Sequence, residues 1–267
     1  MKSTAAYFVA IVASMLLMAS CHGQENQLPS ADYNTQSDSL LQQCFPALRD
    51  GEQIVYHKGY ALVYSEPHEQ ATWVAYMLTR QRVYGKHQRS NDFREDTSIE
   101  TKSAQIYDYK PTSGTYARGH LAPAADMKWD AVAMSESFLL SNMSPQKHAF
   151  NDGLWNNLEN KVREWAKSFD TIYVITGPVL HNDDSICIGK NKVTVPSAYY
   201  KVVYCPATHQ GIALLTPHEQ QPVKWYELAI TIDELEEITS LDFLHGISDQ
   251  EAVESEVCTR CWNNKRQ

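Results

Sequence analysis

Residues 171–179 read TIYVITGPV, an apolar and β-branched run that ends at Gly177 and Pro178. A run of this length that is closed by turn-forming residues is typical of a strand buried on both faces of a sheet. β-branched side chains also favour strands over helices. We therefore expect residues 171–179 to form a central strand of the fold.

The neighbouring segments predict the rest of the sheet. Downstream, residues 197–205 (SAYYKVVYC) and 211–216 (GIALLT) are each ended by a proline and predict antiparallel neighbours of the central strand. Upstream, residues 53–65 predict two short strands around His57-Lys58-Gly59, and residues 71–78 predict a third. Residues 231–239 predict a helix that begins with acidic residues. The expected fold class is α+β with a mainly antiparallel central sheet flanked by helices.

Composition indicates a globular chain but leaves the partner open. The 267 residues are 43% hydrophobic and 21% charged, which excludes disordered and collagen-like classes. The net charge of −9 at first argues against a nucleic-acid partner, which usually requires a basic surface. Residues 227–256, however, hold ten acids and no Lys or Arg, so the other 237 residues carry +1. Residues 80–94 carry a local +4. We expect this basic segment to line the functional cleft and the acidic segment to face away from it.

The beginning of the chain predicts export. Lys2 precedes an apolar run over residues 5–19, which is too short to span a bilayer and is typical of a signal peptide. Residues 18–21 (MASC) resemble a bacterial lipobox, which predicts lipidation of Cys21. A plain secretory signal with an incidental Cys is the alternative. The expected location is the outer membrane as a lipoprotein, or the periplasm or exterior, of a Gram-negative bacterium.

Domain boundaries follow from the same composition. We expect a signal peptide over residues 1–20, a lipid-anchored tether over 21–50, a folded domain over 51–248 and a C-terminal tail over 249–267. The tether is assigned because residues 22–43 are mainly Gln, Asn, Ser and Asp with few large apolar residues, and such a composition cannot build a core.

The cysteines agree with an oxidising compartment. Beyond Cys21 there are five, at Cys44, Cys187, Cys205, Cys258 and Cys261. Export favours disulfides among them, but an odd number leaves at least one unpaired, and spacing alone does not choose the pairs. Cys258 and Cys261 have the spacing of a zinc half-site or a redox motif. No second half-site accompanies them, which disfavours zinc.

A long helix carries two rows of side chains. The core-facing row contains Leu154, Leu158, Val162, Trp165 and Phe169. The neighbouring row contains Asn151, Trp155, Glu159 and Arg163. Two interpretations of Glu159 and Arg163 remain open: a solvated i,i+4 ion pair worth a few tenths of a kcal/mol, or a carboxylate and a guanidinium presented at a cleft.

Residues 116–127 (YARGHLAPAADM) carry a candidate catalytic pair. Arg118 and His120 are two residues apart, so on an extended segment both point to one side. Arginine offers a fork of donors for phosphate oxygens, and a neutral histidine can accept a proton from water. Taken alone, however, His120 is more often a structural, hydrogen-bonded residue than a base.

Four spaced motifs favour a catalytic over a structural role for His120. RGHxxPxxD (118–126), NMxPQ (142–146), FN (150–151) and W…LE (155–159) occur in this order. The set resembles that of the DNA/RNA non-specific endonucleases of the ββα-metal nuclease superfamily, in an endonuclease G-like bacterial form. Residues 92–96, 176–178 and 196–201 also fit the family, so the resemblance covers roughly residues 53–245.

The resemblance implies a role for each matching residue. His120 corresponds to the general base, Asn151 to the metal ligand, and Glu159 to a ligand of the metal's water shell. Further matches are Arg163 and Arg118, which stabilise phosphate charge, and Asn142 of NMxPQ. Arg94 and Arg89 are both candidates for a substrate-binding arginine. Ala117 departs from the family, which usually has Asp before RGH; altered local support is expected there.

The implied activity is sugar-non-specific, metal-dependent hydrolysis of DNA and RNA to 5′-phosphate products. Mg²⁺ is the expected cofactor, with Mn²⁺ as a substitute, bound by Asn151 and acting as a Lewis acid. Family members often form homodimers, but no stripe in this sequence identifies an interface. One alternative is a relative specialised for one nucleic acid. Another is a non-catalytic, nucleic-acid-binding surface lipoprotein that retains the nuclease fold, which the presence of His120 and Asn151 disfavours.

Overall fold

The computed structural model describes residues 34–181 and 185–263. Its strands are β1 (Ile54–Tyr56), β2 (Ala61–Ser65), β3 (Gln70–Thr79), β4 (Tyr116–His120), β5 (Met143–Lys147), β6 (Thr171–Val179), β7 (Cys187–Ile188), β8 (Val193–Thr194), β9 (Ala198–Cys205), β10 (Gln210–Pro217) and β11 (Ala229–Ile230). Its α-helices are α1 (Ser39–Gln43), α2 (Arg80–Val83), α3 (Ile106–Tyr109), α4 (Ala131–Glu136), α5 (His148–Phe150), α6 (Asn156–Phe169), α7 (Ile232–Thr239) and α8 (Gln250–Glu254). A π-helical turn, Asn151–Trp155, joins α5 to α6.

Seven strands form one antiparallel sheet in the order β1-β2-β3-β6-β9-β10-β11. The predicted central strand is confirmed, because β6 lies fourth of the seven and is buried along nearly its whole length. β9 pairs with β6 as expected, whereas β10 pairs with β9 and lies one strand further out. The expected α+β class is therefore confirmed.

The strands bury both of their faces because helices cover the sheet on both sides. Alternate residues of β3 divide between two cores, with Val74 and Tyr76 on one side and Trp73 and Ala75 on the other. The first core is completed by α6, whose predicted apolar stripe is buried as expected. The second is completed by α1, α7, α8 and the segments between the last two.

Helix α7 matches its prediction closely. Thr231 is its N-cap and accepts a hydrogen bond from the backbone N–H of Glu234, whose carboxylate accepts one from the N–H of Thr231. This capping box satisfies two backbone donors at the helix start.

A separate two-stranded sheet carries two of the residues that line the functional site. β4 and β5 pair antiparallel, with His120 opposite Met143. The chain then continues through α5 and the π turn into α6, so that β4, the π turn and α6 line one cleft, with β5 paired to β4. The sequence elements that carry the four motifs therefore converge.

The ends of the domain differ from the sequence expectation. Leu41, Cys44 and Phe45 are buried in the second core, although residues up to 50 were expected to be a tether. Trp262 is 2% exposed and packs on Trp165, although residues from 249 onwards were expected to be a tail. Both segments are polar overall, and a few large apolar residues suffice to fix them to the domain. The expected signal peptide and Cys21 lie outside the described residues.

The cysteine arrangement is specific. Cys258 and Cys261 form a disulfide, with Cα atoms 5.3 Å apart, in place of a zinc half-site. Cys44 and Cys205 are buried free thiols, and Cys187 is an exposed one. Across the described ranges, none of the helices has the length and apolar character that crossing a membrane would require.

Candidate active site

A cleft of about 420 Å³ lies where β4, the π turn and α6 meet. Six of the predicted site residues line it: Arg89, Arg118, His120, Asn151, Glu159 and Arg163. A larger concavity of about 710 Å³ lies elsewhere, between the β2–β3 turn and the end of α7. It contains none of the RGH, NMxPQ or helix motif residues, so the smaller cleft is the candidate site.

His120 ends β4 and is held from several directions. The ring of Phe138 meets its imidazole edge to face at 4.9 Å, and Phe93 lies 5.9 Å away. The indole N–H of Trp155 donates to the backbone carbonyl of His120 at 3.2 Å. Gly119 is required beside it, because a Cβ there would lie 2.1 Å from Oε1 of Gln146.

The surroundings of His120 keep its imidazole neutral. Burial, followed by the positive charges of Arg89 and Arg118, lowers its pKa from 6.5 to about 3. Its Nε2 is buried and has no hydrogen-bond partner among the described residues. A buried neutral histidine with an unpaired ring nitrogen is suited to accept a proton, and it is not the hydrogen-bonded structural histidine of the alternative interpretation.

Asn151 begins the π turn and lines the cleft. Its side-chain N–H donates to Oδ1 of Asp152 at 2.8 Å, which orients the amide and leaves its oxygen available. π turns occur mostly as local insertions within helices and frequently at functional sites. Here the turn places Asn151 and Glu159 on the same cleft.

Glu159 and Arg163 do not form the solvated pair that was one interpretation of the helix. Their side chains are only 13% and 12% exposed, and the closest approach between them is 4.0 Å. Arg163 instead bonds Oδ1 of Asp126 at 2.8 Å. Burial raises the pKa of Glu159, against the opposing charges of Lys201 and Arg163. The cleft interpretation is therefore the one that the geometry supports.

The remaining predicted residues have distinct places. Arg118 stacks 4.0 Å above Phe93, and Arg89 stacks 4.7 Å from the centre of Phe138. Arg94 bonds Asp92 and a backbone carbonyl and is absent from the cleft lining, so Arg89 is the better candidate of the two.

Asn142 is fully buried and also lies behind the cleft wall. Its amide exchanges two hydrogen bonds of 2.9 Å with the backbone of Ala122 and donates to Ser137. It thereby fixes the turn that follows His120. Its position indicates that it supports the site without touching a substrate.

Two contributing residues received no role from the sequence. Asp126 bonds both Arg163 and Tyr76, and its only sequence signal was its place at the end of RGHxxPxxD. Lys201 is 1% exposed, and its Nζ lies 4.0 Å above the ring of Trp155. Its positive charge lowers the pKa of Glu159. The sequence does mark Lys201 as a site candidate, because it is a lysine within the otherwise apolar strand 198–205 and an isolated buried charge requires a partner.

The acidic segment lies as expected, but only one of the five basic residues of segment 80–94 lines the cleft. Arg89 lines the cleft, but Arg82 is buried against Trp129 and Arg80 lies near Asp170. The basic segment therefore contributes chiefly one arginine. Residues of the acidic segment from 232 to 253 pack in the second core, across the sheet from the α6 side.

Comparisons with known proteins agree with this geometry. The family model described as DNA/RNA non-specific endonuclease matches residues 37–250. Nuclease EXOG of Danio rerio is 31% identical over 78% of this chain and 65% of its own length. Mitochondrial endonuclease G of Homo sapiens is 35% identical over 61% of this chain and 58% of its own. A nuclease of Nostoc sp. is 31% identical over 74% of this chain and 76% of its own length.

A solved structure shares the fold as well. A chain of the EndoG/EndoGI complex superposes with a TM-score of 0.69 and 30% identity, over 78% of this chain and 91% of that one. The chain spans somewhat less than two thirds of the length of the zebrafish and human relatives.

Proposed function

Because this chain belongs to the DNA/RNA non-specific endonuclease family, we propose that it is a metal-dependent endonuclease that hydrolyses phosphodiester bonds of DNA and RNA. The observation that carries the proposal is the cleft itself. It combines an unprotonated histidine with an unpaired Nε2, an asparagine amide and three arginines.

His120 is the proposed general base. A water molecule lined up with the scissile bond must lose a proton as it attacks phosphorus, and the neutral imidazole accepts that proton. Phe93 and Phe138 restrict the ring to one orientation, and Trp155 holds the backbone beneath it. Arg89 and Arg118 disfavour the protonated ring, which weakens the imidazole as a base but promotes its return to the neutral form after each turnover.

The donor set fits a hard divalent cation. Asn151 offers one amide oxygen and Glu159 a nearby carboxylate, and Mg²⁺ commonly takes few protein ligands while keeping several waters. When bound, Mg²⁺ or Mn²⁺ would supply Lewis-acid stabilisation of the phosphate and of the leaving 3′ oxygen. Asn151 would be the direct ligand and Glu159 would bond the water shell.

The arginines account for phosphate recognition. Arg118 stacks on Phe93 and Arg163 is fixed by Asp126, so each guanidinium is oriented before substrate arrives. Pre-oriented donors stabilise developing charge without reorganisation during the reaction. Nothing in this set reads a base edge or a 2′-hydroxyl, which supports action on both DNA and RNA.

The test is digestion of supercoiled plasmid and of RNA by protein that starts after Cys21. We expect both substrates to be cleaved with Mg²⁺ and neither with EDTA, and end-labelling to detect 5′-phosphate termini. Asn151→Ala should abolish the metal-dependent activity, whereas Asn157→Ala, on the exposed side of α6, should not. Binding without cleavage by the wild-type protein would instead support the non-catalytic alternative.

Export remains a proposal that rests on the sequence of the first 21 residues. We propose lipidation at Cys21 and attachment to the membrane through that lipid. Cys21→Ser should release the protein from the membrane fraction of cells that express the full chain, as seen by immunoblotting. Unchanged fractionation would contradict the anchor and leave the nuclease proposal unaffected.

A further inference from the structure

Three carboxylates converge on the side of the sheet that lies away from the nuclease cleft. Asp233 and Glu236 are three residues apart on α7, and Glu254 is the last residue of α8. Each offers an oxygen atom, and these oxygens all lie within 4.8 Å of one another. Two helices thus direct three acidic groups to a single point.

Glu254 is the least expected member of the cluster. It is only 4% exposed, and its Oε1 has no hydrogen-bond partner within the ranges that the structure describes. A buried carboxylate oxygen without a partner lowers the stability of the fold, because it loses its hydration and gains no hydrogen bond in return. Gln250 acts on this carboxylate through a side-chain hydrogen bond, which leaves Oε1 open to a ligand that the described residues do not provide.

The charges around Glu254 increase that cost. The charged neighbours that act most strongly on it are Glu236, Asp242 and Asp233, all of them acidic. The surrounding segment, residues 227–256, contains no Lys or Arg. One oxygen of Glu236 accepts the backbone N–H of Phe243, which offsets only part of the repulsion.

We propose that Asp233, Glu236 and Glu254 bind a Ca²⁺ ion that joins α7 to α8, at a site separate from the catalytic metal. Ca²⁺ prefers carboxylate oxygens in flexible arrangements and accepts six to eight of them, with waters completing the set. Mg²⁺ requires stricter octahedral geometry and gives up its waters reluctantly, so this cluster should favour Ca²⁺.

Protons are the competing ligand at this place. Burial and the neighbouring carboxylates raise the pKa of Glu254 to about 8 and that of Glu236 to about 7. A carboxylate must be deprotonated to bind a metal ion, so the cation and protons compete for the cluster. Measurements at pH 8.5 give the ion its best opportunity.

The bound ion would have a structural effect. α7 and α8 both pack on β10, and the chain beyond α8 leads to Cys258–Cys261 and to Trp262, which packs against α6. An ion that bridges the two helices would strengthen the attachment of this C-terminal segment.

The experiment is thermal unfolding at pH 8.5, at constant ionic strength, with 10 mM CaCl₂ or with EDTA. We expect Ca²⁺ to raise the Tm by about 3–10 °C, given a Kd of about 10⁻⁴–10⁻³ M as in weak extracellular sites. Equal Mg²⁺ should raise it less. Calorimetric titration of the protein with CaCl₂ should detect one saturable site besides any in the cleft.

Variants separate this site from the cleft. Glu254→Gln should remove the Ca²⁺-dependent rise in Tm. In EDTA its Tm should equal or exceed that of the wild type, because the substitution removes repulsion between carboxylates. Asp233→Asn, a more exposed change, should weaken the rise in the same way. Glu251→Gln, an exposed acid on α8 outside the cluster, should keep it. An equal rise in wild type and Glu254→Gln, or no Ca²⁺ effect in wild type, would overturn the proposal.

Discussion

The proposed chemistry of the site depends on the protonation state of one imidazole. His120 is 8% exposed, lies between two aromatic rings and faces two arginines, so its pKa falls to about 3. The lowered pKa of His120 has two consequences. The ring remains available as a base down to acidic pH, so its own protonation should not set the acidic limit of activity. Because the folded pKa lies below the unfolded one, the fold loses stability from this group as pH falls from 6.5 towards 3.

Replacing Arg89 should raise the pKa of His120. In Arg89→Gln a positive charge and part of the cover over Phe138 are lost, and both changes favour the protonated ring. An NMR titration of the His120 ring in metal-free protein measures the shift. Arg89→Lys, which keeps the charge, should shift less, and Arg94→Gln, outside the cleft, should not shift it. An unchanged or lower pKa in Arg89→Gln would contradict the assigned cause.

At the scale of elements, the π turn between α5 and α6 sets the geometry. Gly153 lies inside it, and a Cβ there would be 2.0 Å from Oε1 of Gln220. That same oxygen accepts the backbone N–H of Leu154 at 2.7 Å. The loop after β10 thus fixes the turn that presents Asn151.

Gly153→Ala should destabilise the protein by about 1 kcal/mol, because displacing the exposed Gln220 side chain leaves the part-buried N–H of Leu154 without its acceptor. An alanine in an ordinary helical position would instead stabilise by up to about 1 kcal/mol. Urea unfolding of Gly153→Ala, Gln220→Ala and the double variant measures this. The double variant should cost less than the two single changes together, since both remove one hydrogen bond. Full additivity would show that the two residues act independently.

The sequence predicts some of these elements well and others poorly. β6 and α6 follow from periodicity, since each buries a regular set of side chains. The π turn has no periodic signal, because it depends on the contact between Gly153 and Gln220, 67 positions apart. Trp262 is a single apolar residue in a polar segment and carries no periodic signal. Leu41, Cys44 and Phe45 have the i, i+3, i+4 spacing of a helix face, which a reading from composition alone overlooks.

The C-terminal segment gives a direct test of that correction. Trp262 packs on Trp165 and Phe169, and its carbonyl accepts the indole N–H of Trp165 at 2.7 Å. Trp262→Ala should lower the free energy of unfolding by about 3–5 kcal/mol, as for other buried tryptophans. Denaturant unfolding is the measurement, with the more exposed Val257→Ala as the control. A cost as small as that of the control would restore the tail interpretation.

At the scale of the whole molecule, the net charge of −9 is compatible with nucleic-acid binding because of where the charges lie. The net negative charge is concentrated in residues 227–256, which pack largely on the far face of the sheet, while Arg89, Arg118 and Arg163 line the cleft. Binding depends on the charges near the binding surface, so the net charge of the whole chain does not predict it.

Binding of duplex DNA to the His120→Ala variant should therefore weaken steeply with salt. Adding Arg89→Gln should reduce the slope of log K against log salt by about 1, as expected for one lost phosphate contact. Adding Glu237→Gln, on the exposed side of α7, should leave both slope and affinity unchanged. Fluorescence anisotropy measures both quantities. A stronger effect from Glu237→Gln than from Arg89→Gln would contradict the segregation of charge.

The proposed role of His120 is to activate water for phosphodiester cleavage. The most direct measurement is the single-turnover rate of plasmid cleavage in saturating Mg²⁺ by wild type and by His120→Ala, with circular dichroism confirming that both are folded. We expect the rate to fall by roughly 10²–10⁴-fold in His120→Ala, the usual contribution of a general base. A folded His120→Ala protein that cleaves at a near-normal rate would contradict it.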